Sequence, residues 1–133
     1  MRVDVELAVA LEIGALRFAK AETARDRDTA IGFNRRLWQA IRQLAVTAPE
    51  VEDRNGLLDS ADQVMRNIED ARTVSHHNST HARVLAGRAA TQGALKHLLE
   101  DWRIVRQREA SADFGDWLLS RLDMEGAPVS LAA

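Results

Sequence analysis

Apolar side chains recur along this chain at three- and four-residue spacing, with charged residues filling the positions between them. In the stretch 28–45, Ile31, Asn34, Trp38, Ile41 and Ala45 share one side of a helix of about four to five turns, with Leu37 and Leu44 beside them. Asp28 stands where an N-cap is expected. Thr47-Ala48-Pro49 supplies the stop, because the residue before a proline is driven out of helical geometry. Asn34 breaks the apolar stripe. An amide there must find partners, and such a group tends to fix register more than it adds stability. If Trp38 is buried, its indole N–H needs an acceptor; at a surface, tryptophan anchors interfaces.

The same periodicity organises the rest of the chain. Leu7, Leu11, Gly14, Phe18 and Ala21 repeat four-three-four-three and predict a helix from about Asp4 to Thr23, with Gly14 and several alanines allowing a close neighbour. Arg25-Asp26-Arg27-Asp28 reads as a short polar link, which favours an antiparallel hairpin with the next helix. After a polar loop over 50–56, Leu57, Ala61, Val64, Ile68 and Ala71 predict a third helix over 57–72. Thr73 to Thr80 is polar and poor in helix formers, and reads as a loop whose Ser79 or Thr80 caps a fourth helix over 82–108. Gly87 and Gly93 mark a point for a kink or break in that helix. Ser111-Ala112-Asp113 opens a short last helix bearing Phe114, Trp117, Leu118, Leu119 and Leu122, and Gly126-Ala127-Pro128 ends it. The expectation is an all-α fold, a helical bundle of four to five amphipathic helices. It forms a single domain over 1–125, with a frayed tail over 126–133.

Composition narrows the function classes. A chain of 133 residues with 46% hydrophobic and 29% charged residues suits one soluble globular domain. Eighteen basic against twenty acidic residues leave a formal charge of −2, which draws the chain neither to DNA nor to an anionic membrane. The absence of cysteine excludes disulfides and thiolate chemistry. Asp4 and Glu6 interrupt the apolar run a signal peptide needs, and no stretch approaches the ~18 apolar residues of a membrane helix. These features predict a cytoplasmic protein.

Candidate chemistry is sparse. His76, His77 and His81 form the one cluster resembling metal ligands, with His97 a conceivable fourth. In a Ser/Thr/Asn-rich link they read first as solvated, and a helical bundle holding a metal or small ligand there is the alternative. Asn78-Ser79-Thr80 matches a glycosylation sequon, which has no meaning without a secretory signal. Neighbouring carboxylates such as Glu69-Asp70 and Glu100-Asp101 point to different sides of a helix. There is no phosphate-binding loop or nucleophile elbow, so neither an enzyme nor a cofactor is expected. Arg35, Arg36 and Arg42 make a basic edge beside Trp38. Trp102, Phe114, Trp117, Leu118 and Leu122 make an apolar C-terminal region, which either packs the core or covers a groove that a partner helix enters.

Asn34-Arg35-Arg36-Leu37-Trp38 resembles the signature of the flagellar biosynthesis regulator FlaF family. The Ala-, Glu- and Leu-rich helix before it is similar to the one that leads into that signature. Leu57-Leu58, followed by Val64-Met65-Arg66, sits where the family has its next helix. The resemblance covers roughly residues 5–72. It departs from the family at Gln43, where an acidic residue is usual, at Ala48-Pro49 in place of Leu-Pro, and in lacking a tryptophan in the third helix. The resemblance implies a non-enzymatic role in flagellum assembly: supporting flagellin production or secretion, opposite a FlbT-type regulator. It sharpens the physical expectation to a chaperone-like regulator that holds a flagellin helix in an apolar groove, through Asn34, Arg35, Leu37, Trp38, Trp102, Trp117 and Leu118. A homodimer through the C-terminal helices is a further option.

Overall fold

The longest helix starts on a reciprocal cap. Thr23 Oγ1 accepts a hydrogen bond from the Asp26 amide at 3.0 Å, and the Asp26 carboxylate accepts one from the Thr23 amide at 3.4 Å. In this computed structural model, which describes residues 2–48, 51, 53–88 and 92–126, the helix therefore begins earlier than Asp28 and absorbs the expected polar link into its first turns. It runs Ala24–Thr47 and stops where Ala48, the residue before Pro49, turns extended at φ −111° and ψ 101°.

Among the described residues there are six helices instead of four to five: α1 (Arg2–Ala19), α2 (Ala24–Thr47), α3 (Arg54–Arg66), α4 (Ala71–Arg88), α5 (Gln92–Arg108) and α6 (Phe114–Gly126). No strand occurs among the described residues. The segment Thr73–Thr80, expected as a loop, is helical and belongs to α4. The third helix ends at Arg66, short of the expected Arg72, and turns through 67–69 before the Asp70 carboxylate caps α4 by accepting from the amides of Arg72 and Thr73. The fourth helix of the sequence reading is two, α4 and α5; the residues joining them, 89–91, lie outside the described residues. Of the expected tail over 126–133, Gly126 is instead the last residue of α6, and 127–133 lie outside the described residues. The last helix starts as expected, with Asp113 Oδ1 accepting from the Asp116 amide at 2.9 Å.

The bundle is built around α1 and α2. α1 packs most extensively on α4, and α2 lies against α1, α3 and α6. One core joins Leu7 and Leu11 of α1, Leu37, Trp38, Ile41 and Leu44 of α2, Leu57 and Val64 of α3, Leu85 of α4, and Leu118, Leu119 and Leu122 of α6. α5 is the exception: Leu98 is its one fully buried side chain among those described. Burying a leucine contributes about 1.5–3 kcal/mol, so α5 is held far less firmly than its neighbours.

Candidate partner-binding surface

The residues of the central motif face inward. Asn34, Leu37 and Trp38 are each 0% exposed. The Trp38 indole N–H donates to Asn78 Oδ1 at 2.7 Å, and Asn78 Nδ2 donates to Asn34 Oδ1 at 2.7 Å and to the Leu11 carbonyl at 3.2 Å. Asn34 Nδ2 donates to the Gly14 carbonyl at 3.1 Å and to the Ala30 carbonyl at 2.8 Å. Gly14 is required at this crossing, because a Cβ there would overlap Asn34 Oδ1 and Asn78 Nδ2. The expectation that Asn34, Leu37 and Trp38 meet a partner is therefore corrected: these side chains join α1, α2 and α4 to one another. Leu118 is corrected on the same ground, being fully enclosed in the core. Around them, Arg42 pairs with Asp62 of α3 and Arg36 reaches Asp123 of α6 at 4.0 Å, whereas Arg35 is exposed and makes no ion pair among the described residues.

The histidines are also part of the packing. The Ser60 hydroxyl of α3 lies 2.7 Å from His81 Nε2 and 3.1 Å from His77 Nδ1, where it can donate to one ring and accept from the other. His81 meets the Trp38 ring edge-on at 5.9 Å, and His76 stands edge-on to His77 at 5.8 Å. Burial holds His81 below its ordinary pKa; Asp53 opposes that shift and His77 adds to it. Burial, then the neighbouring His76, lowers His77. Among the described residues no group of three or more His, Cys, Asp or Glu side chains is placed to hold a metal ion.

Besides Arg35, two of the expected contact residues lie at a surface. Trp102 of α5 and Trp117 of α6 are half-buried, and with Phe114 they form a three-ring cluster with centroids 5.3, 5.4 and 5.8 Å apart. Arg121 stacks over Trp117 at 4.9 Å, donates to the buried Glu6 carboxylate at 2.9 Å and reaches Asp101 at 3.3 Å. One guanidinium thus ties α6 to both α1 and α5. At the other end of the cluster Arg17 pairs with the capping Asp113 at 2.8 Å and lies over Phe33 at 4.3 Å, fixing where α6 begins.

Beyond the rings the apolar surface continues along α5. Leu95 is 43% exposed and Leu99 is 50% exposed, and with Trp102 they fall four and three apart on one side of the helix. A shallow depression of about 430 Å³ runs there, lined by Leu95, Lys96, Leu99, Glu100 and Arg103. Phe114 is expected only as part of the apolar C-terminal region, and Leu95 and Leu99 are not among the expected contact residues. Their spacing with Trp102 was visible in the sequence, but periodicity does not tell a buried stripe from an exposed one. Chemically, the surface offers aromatic faces and leucine side chains rimmed by charge, which suits the apolar side of another helix.

No family model, no curated protein and no solved structure matches this chain.

Proposed function

We propose that this protein is a non-enzymatic flagellum-assembly factor, a regulator or secretion chaperone that holds an amphipathic flagellin helix on the α5–α6 surface. One observation carries the docking part of the reading. The Trp102–Phe114–Trp117 cluster is half-buried, and its Trp102 shares one side of α5 with the exposed Leu95 and Leu99, on the helix with the least burial among the described residues. Tryptophan is among the residue types that most often anchor an interface, and a helix-in-groove contact recruits apolar anchors at three- and four-residue spacing. The flagellar part rests on the resemblance of Asn34-Arg35-Arg36-Leu37-Trp38 to the FlaF signature. In this chain that motif is a packing motif, which builds the scaffold and leaves recognition to α5 and α6.

Co-purification of the full chain with flagellins tests the reading, alongside the variants Leu99→Glu and Trp38→Phe. Leu99 is exposed, so a charge there leaves the fold intact, which circular dichroism verifies. The expected result is recovery of a flagellin with the unaltered chain and with Trp38→Phe, and loss of recovery with Leu99→Glu. Recovery that survives Leu99→Glu, or no flagellin under any condition, contradicts it.

A further inference from the structure

The charges that border the apolar stripe of α5 are unequal. Lys96 and Arg103, seven residues apart, run along one flank of Leu95 and Leu99, and Arg106 lies four residues beyond Trp102 at the end of the stripe. All three are exposed, and none makes an ion pair among the described residues. Glu100 alone opposes them in the depression; its carboxylate stands 3.8 Å from His97. Of the other acidic groups nearby, Asp101 is turned to Arg121, and the exposed Glu109 stands three residues beyond Arg106, just past the end of α5. The chain as a whole carries −2, so this cationic flank is a local feature and does not follow from the overall charge.

We infer that the occupant of the α5–α6 surface is an amphipathic helix whose polar edge is acidic. This rests on the docking reading above and adds the partner's chemistry to it. The apolar face of such a helix covers Leu95, Leu99 and the rings, and its carboxylates fall along Lys96, Arg103 and Arg106. A helix with a basic edge meets like charges at the same place, so the flank selects by repulsion as well as by attraction. A second copy of this chain is disfavoured on the same ground, because docking two α5 surfaces together brings two sets of three cations into one interface against two Glu100 carboxylates.

The test uses two synthetic amphipathic helical peptides with the same leucine stripe, one flanked by glutamate and the other by lysine. Each carries a dye for fluorescence anisotropy and is titrated with the full chain at low and at high salt. The expected result is about tenfold tighter binding of the glutamate peptide at low salt, shrinking as salt screens the contacts. The double variant Lys96→Glu with Arg103→Glu, changed only at exposed positions, should reverse the preference. Equal binding of the two peptides, or a preference the double variant leaves unchanged, overturns the inference while the docking surface stands. Binding of neither peptide overturns both. Dimerisation of the chain that Leu99→Glu abolishes overturns the inference in favour of a second copy.

Discussion

At the scale of single residues, the indole of Trp38 and the amides of Asn34 and Asn78 close a circuit with the backbone carbonyls of Leu11, Gly14 and Ala30. Every member is enclosed, so removing one strands its partners without water. Asn78→Ala leaves both the Trp38 N–H and Asn34 Oδ1 unpaired and should cost about 2–4 kcal/mol, read as a lower urea midpoint at unchanged slope. A neutral outcome would mean the circuit contributes nothing. The histidines beside it add a pH dependence. His81 and His77 titrate below their ordinary 6.5 in the folded chain, so under acid the unfolded chain binds more protons than the folded one. Their contribution is intact above that value and falls as pH drops through it. The thermal midpoint should therefore decline between about pH 7.5 and about pH 5.5, and less so in His81→Gln, which does not titrate. A midpoint flat across that range contradicts the buried placement of His81.

At the scale of elements, α4 shows where reading a sequence stops. Thr73–Thr80 lacks helix formers and apolar periodicity, yet it is helical because Val74, Asn78, His81, Ala82 and Leu85 face the core, and its polar members find partners on α1, α2 and α3. Those partners lie far away in sequence, so neither propensity nor hydrophobic pattern can announce them. Local chemistry was more legible. The stop before Pro49 and the Asp113 cap can be read directly, and the Thr23–Asp26 capping box stands in the sequence, although Asp28 also has the residue type and place of a cap. Side-chain exposure was not legible: Trp38 and Trp102 sit on similar stripes, one with an acceptor waiting on another helix and one at the rim of the bundle. The weak anchoring of α5 makes a prediction of its own. With Leu98 its one fully buried described side chain, α5 should exchange its backbone amides faster than α1 and α2, whose cores carry many such residues. Hydrogen exchange read by mass spectrometry measures this, and protection of α5 equal to that of α2 would contradict it.

At the scale of the whole molecule, α1, α2, α3, α4 and α6 form a closed body, and α5 lies on it, tied by Leu98, the ring cluster and the Arg121 bridge to Asp101. No helix among the described residues is long and apolar enough to cross a membrane. Under the proposed function, one of the three tryptophans of the chain, Trp38, builds the scaffold, and Trp102 and Trp117 meet the partner. Their indole N–H signals, followed by NMR during addition of a flagellin terminal-helix peptide, test that division directly. The Trp102 and Trp117 signals should move with peptide concentration while Trp38, held on Asn78, stays in place. Movement of Trp38 alone, or of none of the three at saturating peptide, would contradict it.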